Sequence, residues 1–152
     1  MITSSDPELP IQGKVEVGLS AERMWQVFSD VRSWPEWNRC MAWARVLGGE
    51  LREGATLVWA FKPIERRYLY RMPAVARISE FEEGRLVGWE PDVPGFHALH
   101  RYEIEPLDAG SCTFGSWEVA EGAAYRRLRG FWLAHFRFVC EESLAGARRL
   151  GT

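Results

Sequence analysis

Long apolar runs are absent from this chain. No stretch approaches the roughly 18 consecutive apolar residues of a helical membrane span, and Met1 to Pro10 is polar where a secretory leader would be apolar, so no targeting segment is expected. Charge of one sign is scarce too. With 19 Lys and Arg against 21 Asp and Glu the formal net charge is -2, which leaves neither the basic footprint of a nucleic-acid binder nor an acidic tail. Cysteine is confined to Cys40, Cys112 and Cys140, odd in number, far apart and outside any C-x-x-C spacing. That usage suits buried thiols in a reducing compartment, and a cytoplasmic location is expected. Several chemistries lack their residues altogether. There is no Gly-rich phosphate loop, no G-x-S-x-G elbow and no cysteine with a histidine at motif spacing. His97 and His100, three apart, would project to opposite faces of a strand and so do not form a metal pair. Nothing calls for a metal or a cofactor.

What is abundant is aromatic. Eight Trp and 13% aromatic residues occupy a chain of 152, a length suited to one domain with one buried core. Such side chains can fill a solid core or wall a cavity for a flat or greasy ligand, and composition does not decide between them.

The periodicity divides the chain into strand, two short helices, six strands and a long helix. Residues 1 to 9 read as a flexible tail ahead of the single domain from 10 to 152. Ile11 to Leu19 alternates around Val15 and Val17 as a first strand. Ser20 is placed to cap a helix carrying Met24, Val27, Phe28 and Val31 on one face, interrupted near Asp30. Ser33 is placed to cap a second, with Pro35 in its first turn, where a missing N–H costs little. Strands are expected over Met41–Leu47, Ala55–Lys62, Tyr68–Phe81, Arg85–Glu90, Phe96–Glu105 and Ser111–Val119, with short links that make neighbours mostly antiparallel. Pro73 implies an edge or a bulge within its strand. From Ala123 to Arg149 one helix is expected, about 40 Å long. Its apolar stripe is Leu128, Trp132, His135, Phe136, Val139, Ser143, Gly146 and Leu150, opposite Arg126, Arg137, Glu141 and Arg148.

This order, together with Ser20 to Phe28, Asp30 to Trp37, Gly54 to Phe61 and the paired segments His100–Pro106 and Gly110–Gly122, resembles the START/SRPBCC superfamily of polyketide cyclase-like and lipid-transfer proteins. The resemblance covers nearly the whole chain. It implies an α+β helix-grip fold, a curved seven-stranded antiparallel sheet wrapped around a long C-terminal helix with two short helices after strand 1, and a ligand cavity between sheet and helix. One fold hosts many activities, so function must be argued from the site.

The last hairpin permits that argument. A turn centred on Ala109 pairs Ile104 with Phe114, Tyr102 with Ser116 and His100 with Glu118, all on one face. Ile104, Phe114 and Tyr102 make this the inward face, so His100 and Glu118 point toward the long helix. A buried histidine and carboxylate satisfy one another, and such a pair can hold two strands together, orient a ligand or move a proton. Trp117 and Val119 give the other face an apolar pair as well, and a bulge would exchange the two faces. His135 lies on the apolar stripe of the helix, either as a hydrogen-bonded core histidine or as a third polar group at the same interior. Trp59 and Phe61, Trp89, and Trp132 and Phe136 are the expected aromatic walls, while Trp34 and Trp37 either gate the cavity or anchor the second helix. Arg66, Arg67 and Arg71 with Arg126, Arg127 and Arg129 read as solvated surface.

The expected function is binding, transport or sequestration of a hydrophobic small molecule such as a lipid, polyketide or quinone. Its contacts would be His100, Glu118, His135, Tyr102, Trp59, Phe61, Trp89, Phe114, Trp132 and Phe136. The alternatives are a polyketide cyclase or dehydratase in which the His–Glu pair carries protons, and, from the resemblance to co-chaperone and ribosome-associated branches, a protein-interaction module.

Overall fold

A computed structural model describes residues 2–62, 72–91 and 93–152. Seven strands form one antiparallel sheet in the order β1-β7-β6-β5-β4-β3-β2. They are β1 Ile11–Val17, β2 Met41–Leu47, β3 Thr56–Phe61, β4 Met72–Glu82, β5 Leu86–Pro91, β6 His97–Pro106 and β7 Cys112–Glu121. Helices α1 (Ala21–Ser29) and α2 (Trp34–Trp37), joined by a 3-10 turn at Val31–Ser33, connect β1 to β2. Since β1 and β2 are opposite edges of the sheet, this connection crosses its width. Helices α3 (Ala123–Arg127) and α4 (Arg129–Leu150) follow β7. The expected strand residues before Met72, and Arg66, Arg67 and Arg71, lie outside the described residues.

Local chemistry explains most of these elements. The Ser20 hydroxyl accepts the Arg23 N–H at 3.1 Å and caps α1. Ser33 does not cap α2 through its side chain. Its hydroxyl instead donates to the Asp30 carbonyl at 2.7 Å, because the 3-10 turn has already brought that acceptor beneath it. Pro73 has an equally local account. Ile78 donates to Ala55 and accepts from Gly54 on the β3 side, so by alternation the backbone of Pro73 faces away from β3. That segment of β4 extends past Ala76, which pairs with Pro91 at the end of β5, so the missing N–H breaks no bond of the ladder.

The C-terminal helix is not continuous. Leu128 has φ -118° and ψ 32°, and the chain changes direction there. Two remote anchors impose the break. Ala124 N–H donates to the Gly95 carbonyl at 2.9 Å, and the Tyr125 hydroxyl donates to Asp6 at 2.7 Å. Held at both points, α3 cannot share the axis of α4, and Leu128 leaves the apolar stripe to stand 56% exposed. The segment expected as a flexible tail supplies one anchor, since the Asp6 carboxylate also receives Arg129 Nε at 2.6 Å and Nη2 at 2.9 Å.

Helix α4 rests mainly on β1, β7 and α2. Gly146 permits the contact with α2, because a Cβ at this position would lie 2.1 Å from the Trp37 carbonyl oxygen. The apolar interior falls into two clusters. The larger one, with Phe28, Trp34, Tyr102 and Phe114, fills the α1–α2 end of the sheet. The smaller one, with Phe96, Ala98, Ala120, Tyr125 and Phe136, lies under α3 and the start of α4.

Candidate ligand cavity

A cavity of about 780 Å³ draws its walls from both clusters. Its origin is visible in the inward positions of the strands. Ala74 and Ala76 on β4 and Ala98 on β6 face it, and these small side chains leave unfilled the space between the sheet and α4. Trp59 and Phe61 on β3 and Trp89 on β5 form one side, and Trp132, Phe136 and Val139 on α4 form the other. The rings meet largely edge to face: Trp59 lies 5.7 Å from Phe61 and 5.9 Å from Trp89. Trp89 is also backed by Trp34, stacked at 5.7 Å, so this wall is braced by the solid half of the core.

The hairpin register follows the expectation: Ile104 pairs with Phe114, Tyr102 with Ser116 and His100 with Glu118, without a bulge. Asp108 sets the turn by accepting the Gly110 N–H at 2.7 Å. His100 and Glu118 therefore reach the interior, and both line the cavity. Their closest approach is 3.5 Å, between Nδ1 and Oε2. On the other side of the ring, His100 Nε2 is 3.0 Å from the Ser116 hydroxyl. Trp117 on the outer face carries the Arg101 guanidinium 4.6 Å from its ring, which accounts for an aromatic side chain there. His97 is exposed and His100 buried, on opposite faces, and no metal-binding cluster occurs among the described residues.

Burial keeps the polar groups neutral. The Glu118 carboxyl is pushed up to about 8 by loss of hydration. His100 is pushed down to about 3 by the same cause, with a smaller contribution from His135. His135 goes down to about 4, again through burial. Glu118 therefore enters the cavity as a carboxylic acid and His100 as a neutral imidazole, so the pair holds one proton that can be passed. His135 is 4% exposed, lies edge-on to Phe61 at 4.4 Å, and has no hydrogen-bond partner among the described residues.

Tyr102 and Phe114 stand elsewhere. Both are buried in the solid cluster, where their rings stack at 5.3 Å, and neither forms part of the cavity wall. Tyr102 donates to or accepts from Ser143 at 2.7 Å, and Ser143 also accepts from Asn38 Nδ2 at 2.9 Å, a network behind His100 that ties β6 to α4 and α2. Trp34 and Trp37 also belong to the buried core and anchor α2; the Trp34 indole donates to the Phe28 carbonyl at 2.7 Å. The sequence reading missed Asn38 and Ser116 as supports of this region, and missed the alanines. The signal for the alanines was the period of two: inward positions of β4 and β6 carry Ala where a packed sheet would carry Val, Ile or Leu.

Residues 10–148 match a family model described as polyketide cyclase/dehydrase and lipid transport. The chain belongs to that family. Solved structures share its helix-grip fold. A START superfamily protein from Mycobacterium smegmatis is similar over 94% of this chain and 99% of its own, at 19% identity and a TM-score of 0.65. Norcoclaurine synthase from Thalictrum flavum is similar over 93% of this chain and 92% of its own, at 15% identity and a TM-score of 0.61. The di-domain ARO/CYC BexL of the BE-7585A biosynthetic pathway is similar over 88% of this chain and 46% of its own, at 11% identity and a TM-score of 0.60. No curated protein matches the chain by sequence. No helix among the described residues is long and apolar enough to cross a membrane.

Proposed function

We propose that this polyketide cyclase/dehydrase-like protein binds a hydrophobic small molecule between its sheet and α4. The observation that carries this reading is the cavity of about 780 Å³, walled by aromatic rings and small apolar residues. That volume lies within the range of small-molecule sites, and a few convergent polar groups in an apolar enclosure are what such sites use to orient a ligand. His100, Glu118 and His135 are those groups. Lipids, polyketides and quinones fit the enclosure in kind. Native mass spectrometry of the purified protein, with a thermal-shift screen of those three classes, tests the proposal: a bound species or a rise in Tm is expected. No bound species and no hit in any class refutes it.

A second reading is favoured by one specific observation, the neutral acid beside a neutral base. A carboxylic acid and an imidazole 3.5 Å apart can protonate a carbonyl and take up a proton from an adjacent carbon while the cavity holds a flexible chain folded. This is the chemistry of a cyclase or dehydratase. Under that reading Glu118→Gln lowers kcat on a polyketide-like substrate by about 100-fold or more while KM changes little. An unchanged kcat removes Glu118 from the reaction.

A further inference from the structure

The part of the cavity wall that belongs to α3 is built differently from the rest. Trp59, Trp89 and His100 stand on strands bonded to neighbours within the sheet, and Val139 stands on α4, which rests on β1, β7 and α2. Ala124 and Leu128 stand on a five-residue helix and the elbow after it, bounded by irregular backbone at both ends. Gly122 before it has φ 107°, a conformation open to glycine, and Leu128 after it leaves helical geometry. Leu128 and Val93 line the cavity and are both exposed, which puts its outer rim beside this elbow. A turn at residues 6–9 holds the elbow from outside. The Leu9 N–H donates to the Asp6 carbonyl at 3.1 Å and the Glu8 N–H to Asp6 Oδ1 at 3.0 Å, between Pro7 and Pro10, so the turn is stiff. Its Asp6 side chain is 7% exposed and takes the Tyr125 hydroxyl and two Arg129 nitrogens. Its Glu8 receives Arg137 at 2.5 Å, two turns further along α4, and its Leu9 packs on the smaller apolar cluster. Arg129 holds the Asp6 carboxyl well below the usual carboxylate range, so this anchor stays charged at neutral pH.

We propose that the turn at residues 6–9 is a latch on the cavity: a bound molecule enters and leaves as α3 swings outward about Gly122 and Leu128, and the bonds of Asp6 to Tyr125 and Arg129 set how fast it does so. This rests on the ligand-binding reading above and adds its regulation. The physical basis is a comparison of the walls. Parting the sheet breaks a ladder of backbone bonds, and lifting α4 uncovers its apolar face along β1 and β7. Moving α3 breaks the Ala124–Gly95 bond and the bonds to one carboxylate, all at the rim. The latch touches no molecule inside the cavity. It stabilises the closed form whether the cavity is empty or filled, so it slows entry and exit alike and leaves affinity almost unaltered.

Stopped-flow fluorescence of the full chain at neutral pH with N-phenyl-1-naphthylamine, a neutral probe that brightens in apolar surroundings, tests the proposal. In Asp6→Asn, whose urea midpoint confirms folding, association and dissociation rates are expected to rise together by about tenfold, with Kd changed less than about twofold. Arg129→Gln is expected to act in the same way, and the double variant to exceed neither single one by much, since both remove one contact. Gly146→Ala strains α4 against α2, away from the cavity, and should leave both rates as they are. Unchanged rates in Asp6→Asn, a rise in dissociation alone, or an equal acceleration in Gly146→Ala each overturn the latch and leave the binding reading standing. A wild type that takes up no probe has no passage for a latch to govern, which overturns the binding reading and this inference together.

Discussion

Glu118→Gln should change how stability depends on pH, and the size of the change can be worked out from the site. In the folded protein Glu118 ionises near 8 against 4.5 when unfolded, so its contribution is present below pH 4.5 and is lost as pH rises through 8. The histidines act in the opposite direction. His100 and His135 fall from 6.5 to about 3 and about 4, so their contribution is present above pH 6.5 and is lost as pH falls toward those values. Near the unfolded histidine value of 6.5 the one proton retained by folded Glu118 balances the two half-protonated histidines of the unfolded chain, and these three groups place a stability maximum there. Between that maximum and roughly pH 8.5 Glu118 costs about 2 kcal/mol and the histidines return about 1, so wild type loses about 1 kcal/mol. Glutamine cannot ionise, and the variant should gain about 1 kcal/mol over the same interval. Urea denaturation of both proteins across this range measures the difference, about 2 kcal/mol or roughly 1 M in midpoint for an m-value of about 2 kcal/mol/M. Groups that titrate identically in both proteins cancel. Parallel profiles above the maximum would falsify the reasoning. They would mean that water keeps Glu118 ionising at its ordinary value, and the cavity would then hold a carboxylate rather than an acid able to give a proton.

Other perturbations probe the frame around the cavity. Gly146→Ala should destabilise despite a helix-propensity gain of about 1 kcal/mol, because the new methyl would meet the Trp37 carbonyl at 2.1 Å. Overpacking of this kind costs about 1–3 kcal/mol, and chemical denaturation showing the variant at or above wild-type stability contradicts the packing described. Ser143→Ala leaves the Asn38 amide and the Tyr102 hydroxyl without their shared partner in the core, a loss of about 2–3 kcal/mol in the same assay. Adding Tyr102→Phe to Ser143→Ala should cost less than the separate losses combined, since one orphan group is removed. Asp6→Ala should lower Tm and speed amide exchange across Ala123–Arg129, where the carboxylate holds Tyr125 and Arg129; unchanged exchange there would show that the anchor does not restrain the helix break.

The parts of this protein legible in its sequence are those set by local chemistry and simple periods. The Asp108–Gly110 turn and a period of two were enough to pair His100 with Glu118 and aim both inward, because one face of that hairpin had to hold Ile104, Tyr102 and Phe114. The stripe that brings His135 to the same interior follows from helical spacing. Where contacts span the chain, the same rules fail. Leu128 fits the stripe, yet the helix breaks there because Gly95 and Asp6, far away in sequence, hold α3 in another direction. Tyr102 and Phe114 share the inward face with His100, yet they lie where α1 and α2 fill the space and so pack into solid core. Aromatic content alone was compatible with a filled or a hollow interior, and the tertiary structure contains both. Near α1 and α2 large side chains interlock. Where α4 lies over inward alanines, the volumes do not add up to a full core, and that mismatch between helix placement and side-chain size, which no local pattern encodes, makes the cavity.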